Sequence, residues 1–171
     1  MTQLFAIQTR ADIGFPGDQT RLNTPQIAEV KVVSATNPPV LFGVPVKLDS
    51  NGKVQKIGAG DTSNDVYGTV IRSFPSQNYT LNQVIGAEIP GGPTLSILRS
   101  GYTIVKVIGS GTPVANGKVY VRTVTGTNTV IGGIETAADS TNTFEWVGAR
   151  FVGGKDASGN AEIYFTVNAL V

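Results

Sequence analysis

No stretch of ten or more residues in this chain repeats its apolar side chains at helical spacing. What recurs instead is a short run rich in Val, Ile and Thr, closed within a few residues by Gly, Pro or Asn. With 21 Gly and 9 Pro distributed among 171 residues, long helices have nowhere to form. Short β-branched runs with frequent turn signals predict an all-β domain, a β-sandwich or small barrel of jelly-roll-like character.

The individual runs support that class. Ile27 to Val33 sets Glu29 and Lys31 on one face, while Val30 and Val32 alternate only loosely. Val44-Pro45-Val46-Lys47-Leu48 alternates cleanly into Asp49-Ser50-Asn51-Gly52, and Lys53 to Ile57 returns. Asn-Gly supplies the positive backbone dihedrals of a tight hairpin. Further strands are expected at Val66–Arg72, Thr94–Leu98, Tyr102–Ile108, Lys118–Val124, Thr129–Ile134, Phe144–Val152 and Ala161–Asn168. Between the first two of these lies a long Pro-, Asn- and Gly-containing connection, residues 73–93, in which Leu81–Ala87 offers one helical turn at most. Long loops on compact domains are often binding elements, so Phe74 and Tyr79 are candidate contact residues.

Residues 1–24 differ from the rest. A short apolar piece (Leu4, Phe5, Ile7) precedes Gly14-Phe15-Pro16-Gly17 and then Gln19 to Pro25, with neither helical nor strand period. This reads as an extended N-terminal arm ahead of a single β-domain at 25–171. Two roles stay open: a frayed terminus or edge strand, or an arm that packs on a neighbouring subunit. On the second reading Phe5, Ile7, Arg10, Phe15 and Arg21 make the contacts.

Composition narrows the chemistry. The chain has no Cys and no His, the side chains most easily poised near neutral pH for proton transfer or nucleophilic attack, and the commonest transition-metal ligands. Charged residues make up only 15%, the net charge is +1, and no Lys/Arg cluster marks a nucleic-acid or anionic-lipid footprint. No apolar run is long enough to span a bilayer, and Met1 to Gln8 lacks the basic and apolar regions of a signal peptide. The expectation is a chain used as synthesised, with no cofactor, no metal, no nucleic-acid partner and no membrane partner.

Residual candidates for chemistry are weak. Asp61-Thr62-Ser63-Asn64-Asp65 starts like a calcium loop, but Val66 and Arg72 stand where Gly and a bidentate Glu are required, so a polar turn is expected. Asp156 to Glu162 reads as a hairpin loop. Among Asp61, Asp65, Glu88, Glu135 and Glu145 no spacing singles out a catalytic pair. Asn78-Tyr79-Thr80 matches a glycosylation acceptor, which carries little without a secretion signal. Trp146 reads as a core or cross-strand anchor, its alternative being a stacking platform for a glycan.

The order of segments resembles a known family. Gly14-Phe15-Pro16-Gly17 is followed by Leu41-Phe42-Gly43-Val44-Pro45-Val46-Lys47 and by Asp65-Val66-Tyr67-Gly68-Thr69-Val70-Ile71-Arg72. Then come Leu95 to Val107 and Gly117-Lys118-Val119-Tyr120-Val121-Arg122. This succession, over roughly residues 14–123, is similar to the capsid cement (decoration) proteins of tailed bacteriophages, although residues 73–93 are longer than that pattern has.

The resemblance implies a structural, non-enzymatic virion protein made in the host bacterial cytoplasm. It would bind the outside of an assembled capsid and bridge neighbouring major capsid protein subunits. It also implies a closed homo-oligomer, dimer or trimer, with the trimer preferred. The competing expectation is a carbohydrate- or receptor-binding β-module of a phage virion.

Overall fold

The computed structural model describes residues 13–72, 94–127 and 129–167. Among them ten strands form one antiparallel sheet, curled into a half-barrel. They are β1 (Gln19–Thr20), β2 (Ile27–Val32), β3 (Pro45–Leu48), β4 (Val54–Lys56) and β5 (Gly68–Ile71). After these come β6 (Thr94–Lys106), β7 (Lys118–Arg122), β8 (Ile134–Glu135), β9 (Thr143–Phe151) and β10 (Asn160–Thr166). The order across the sheet is β4-β3-β5-β6-β10-β9-β7-β8, with β1 and β2 also paired to β6.

The all-β class is as the sequence predicts, and two strands differ in extent. Thr94–Leu98 and Tyr102–Ile108 are not separate strands but one strand of 13 residues, β6. Arg99-Ser100-Gly101 reads as a break, yet it holds a register shift instead. Ile27 pairs with Ser100 and Ala28 with Leu98, so β6 carries an extra residue there. An extra residue in one strand bends it and re-aims its side chains. Before the shift Leu98 faces the larger of the sheet's two apolar clusters; after it Val105 does. Ser100 pairs with both Ile27 and Thr166, so β2 and β10 lie on opposite edges of β6. In the same way Tyr102 pairs with Thr20 and Tyr164, which places β1 in line with β2.

The second difference is at Thr129–Ile134, which turns at Ile131-Gly132 and enters a strand only at Ile134, where Ile134–Glu135 pairs with β7. Asp61–Asp65 is the expected polar turn: a 3-10 turn at Ser63–Asp65 in which Thr62 and Asp65 cap each other.

Two apolar clusters hold the sheet. The larger gathers Trp146, Phe151, Ile163 and Phe165 from β9 and β10 with Leu98 and Val105, and Trp146 and Phe165 lie 4.7 Å apart. The smaller gathers Phe42, Val46, Val54, Tyr67, Val70 and Ile97. Val70 pairs with Ile97 and faces the smaller cluster, whereas Ile71 and Leu98 face the larger. β5 is therefore buried on both faces, which explains its unbroken Gly-Thr-Val-Ile run.

Candidate interaction surface

Of the expected arm, residues 13–24 are described, and they run along the half-barrel. The Gly17 amide donates to the Ile104 carbonyl at 2.8 Å, and the Ile104 amide returns a bond to the Asp18 carbonyl at 3.0 Å. On the other side the Arg72 amide donates to the Gly17 carbonyl at 2.8 Å. Gly17 thus joins the end of β5 to β6. A side chain at Gly17 would put its Cβ 2.8 Å from Phe42 Cβ, at a φ of +88°. The glycines flanking Phe15-Pro16 therefore do more than permit extension: Gly17 allows a close backbone crossing.

Beyond that crossing β1 pairs with Thr103 and Tyr102. Its end is held by Glu162, whose carboxylate accepts from Thr20 Oγ1 at 2.6 Å, Arg21 Nε at 3.0 Å and Arg21 Nη2 at 2.9 Å. Burial disfavours the charged form of Glu162. The hydrogen bonds from Arg21 and Thr20, with the Arg21 charge, outweigh it and hold the carboxyl below its ordinary range. Arg21 also lies over the Tyr102 ring, 4.8 Å from its centroid.

β2 is built inside out. Glu29 and Lys31 share the face of Ile97 and Leu95 and roof the smaller cluster. There the Tyr67 hydroxyl and Arg99 Nη1 donate to Glu29, while Arg99 and Lys31 lie over the Tyr67 ring. Burial works against the Glu29 charge, but the bonds from Tyr67 and Arg99 overcome it and lower its pKa. Ala28, Val30 and Val32 take the opposite face; Ala28 stands opposite Leu98 of the larger cluster, but none of the three is buried in it, and Val30 is left 65% exposed. A shallow groove of about 220 Å³ runs there between Ala28 and Val30 on one side and Ile71 and Arg72 on the other. Among the described residues β2 pairs only with β6, and none of them forms a strand on its second edge from Ile27 to Val32. At Val33 a bridge to Val54 closes that edge.

The seven expected contact residues fall into two groups. Phe15 is 48% exposed, with Arg72 5.8 Å from its ring, and Arg21 is engaged by Glu162 and Tyr102 of its own chain. Phe5, Ile7, Arg10, Phe74 and Tyr79 lie outside the described residues. The exposed valines of β2 were not singled out by sequence reasoning. Their signal is the Glu29/Lys31 alternation, which reads as an ordinary solvated face when nothing shows where Tyr67 and Arg99 sit.

Of the carboxylates weighed for catalysis, Glu88 lies outside the described residues, and the other four are engaged separately. Asp61 binds Lys47 at 2.7 Å, Glu135 binds Arg122 at 2.6 Å, and Glu145 binds Lys118 at 2.8 Å, while Asp65 caps its 3-10 turn. Trp146 is 1% exposed and belongs to the core, so it offers no platform to a glycan. No group of three or more metal-ligating side chains occurs among the described residues, and no helix there is long and apolar enough to cross a membrane.

Likeness to known proteins follows this architecture. A chain in the capsid of the Myoviridae phage XM1 superposes with a TM-score of 0.72 at 15% identity, covering 97% of this chain and 98% of that one. At that identity the likeness speaks for the fold alone. No curated protein sequence matches. The family model described as XM1 gp53 minor capsid protein matches residues 6–165. With a match over so much of its length, the chain belongs to the XM1 gp53 minor capsid protein family and is a structural, capsid-associated phage protein.

Proposed function

We propose that this protein is a capsid cement: it sits on the outer surface of the assembled shell and bridges neighbouring major capsid protein subunits. Membership of a minor capsid protein family over residues 6–165 carries this reading. A protein that binds only the assembled lattice stabilises it by mass action, because every bound copy must be released before the subunits beneath it separate. Weak contacts suffice when several are joined in one closed oligomer, a trimer in preference to a dimer, since each bound subunit raises the effective concentration of the next. A surface poor in charge and rich in Thr, Asn and Gly suits the wet, hydrogen-bonded contacts of such a bridge.

The contacts are assigned to the arm, with Phe5, Ile7, Arg10 and Phe15 facing capsid or sister subunits, and to Phe74 and Tyr79 in residues 73–93. Arg21 serves them by fastening the arm to Glu162. No catalysis is assigned, since the paired Asp61, Glu135 and Glu145 each serve a local ion pair.

The arm is tested by removing residues 2–12, which spares Gly17 and β1. Intact protein should co-sediment with expanded phage heads, and the truncated protein should lose that retention while keeping its circular dichroism. Undiminished co-sedimentation of the truncated protein would remove the arm from the contact. An intact protein that never sediments with heads would overturn the cement reading.

A further inference from the structure

Among the described residues the second edge of β2 has no partner strand, and it presents both halves of a docking site. The alternate backbone donors and acceptors between Ile27 and Val32 that are not bonded to β6 point away from it, and Ala28, Val30 and Val32 line the face beside them. Exposed edges are normally guarded by charges that repel an incoming strand. Here the two charged residues of the strand are committed elsewhere, Glu29 to Tyr67 and Arg99 and Lys31 to the Tyr67 ring. The edge is also finite: six residues, ending where Val33 bridges to Val54.

We propose that residues 4–9 of a second copy of this chain add as a strand to this edge. This deepens the oligomer reading above by naming the acceptor surface. Leu4-Phe5-Ala6-Ile7-Gln8-Thr9 contains six residues without charge, Gly or Pro, which matches the length of β2. In a strand its side chains alternate, so Phe5 and Ile7 lie together beside Ala28, Val30 and Val32. Backbone pairing supplies the affinity, and the apolar face selects the register.

The tether assigns the segment to a neighbour. Gly14 is held near the far end of β6, its carbonyl accepting from Asn160, which pairs with Lys106. The start of β2 lies opposite Ser100, roughly 13–20 Å back along β6 at about 3.3 Å per residue. Residues 10–12 bridge at most about 14 Å between Thr9 and Ile13, which meets only the near limit of that gap, and the width of β2, about 5 Å more, puts the edge beyond it. A segment from another copy carries no such restriction.

The chain has no cysteine, so single cysteines report the contact directly. Ile7→Cys chains are mixed in solution with Ala28→Cys, Val30→Cys or Val32→Cys chains and oxidised, and linked peptides are identified by mass spectrometry. The expected result is a link from position 7 to at least one β2 position, well above that to a Val147→Cys control, which is equally exposed at 65%. Removal of residues 2–12 should lower the solution mass towards that of one chain. No β2 link above control would overturn the proposal. So would a link found only inside one chain, when both cysteines of a pair are placed on a single polypeptide. Because no phage heads are present, this outcome is independent of whether the protein binds them.

Discussion

Two glycines with the same backbone conformation separate local from tertiary requirements. Gly43 and Gly52 both have a φ of +72°. At Gly52, in the Asn-Gly hairpin, an added Cβ meets nothing within 4 Å. At Gly43 it meets the Ile104 carbonyl oxygen at 2.8 Å and the Gly17 amide nitrogen at 2.9 Å. Gly52→Ala should therefore cost only the dihedral penalty, about 1 kcal/mol. Gly43→Ala should cost more, about 2–4 kcal/mol, because two backbone segments must shift as well. Urea denaturation of both variants checks this, and equal losses would contradict the wedge role of Gly43. The hairpin glycine was legible in the sequence because Asn-Gly is a local signal. Gly17 and Gly43 were legible only as punctuation, since the segments they let together are far apart in the chain. Trp146 was legible as an anchor because an aromatic within an alternating run has few other places to go.

At the scale of elements, strand type came through where alternation was clean and failed where burial departed from the two-residue rule. β6 was divided at Arg99-Ser100-Gly101 because a register shift and a chain break share the same small and polar residues. β2 was recognised as a strand but not as one with its charged side inward, because the partners that make this tolerable, Tyr67 and Arg99, come from elsewhere in the chain.

β1 is an element with a pH dependence. Glu162 has a folded pKa below its unfolded value, so its contribution is present above the unfolded value of about 4.3. That contribution is lost as pH falls through the folded value. The Ile104 amide, bonded to Asp18 at 3.0 Å, reports the docking of this segment. Its hydrogen exchange, corrected for the intrinsic rate, should quicken as the solution is acidified below about pH 4. Glu162→Gln should exchange faster at neutral pH and lose that acid step. An unchanged profile in the variant would show that Glu162 does not hold the strand.

For the whole molecule, the half-barrel follows from β6 serving four partner strands, β1, β2, β5 and β10. Both apolar clusters draw on it: Leu98 and Val105 for the larger, Leu95 and Ile97 for the smaller. Neither cluster can lose its packing without loosening the strand that supports the other. Calorimetry should show one transition, and Leu98→Ala should lower it as a whole, by about 2–5 kcal/mol of stability. A split into two transitions would show that the clusters melt separately. Fold class was available from the sequence because turn spacing and composition determine it. The topology was not, because pairings such as Gln19 with Thr103 join residues about half the chain apart.

The crossing at Gly17 has one more consequence. The Arg72 amide meets the Gly17 carbonyl there, while the Gly17 amide is held by Ile104, so a single residue is bonded to two strands at once. One carbonyl thus couples the arm to the end of β5, so strain applied to residues 13–18 passes straight into the sheet.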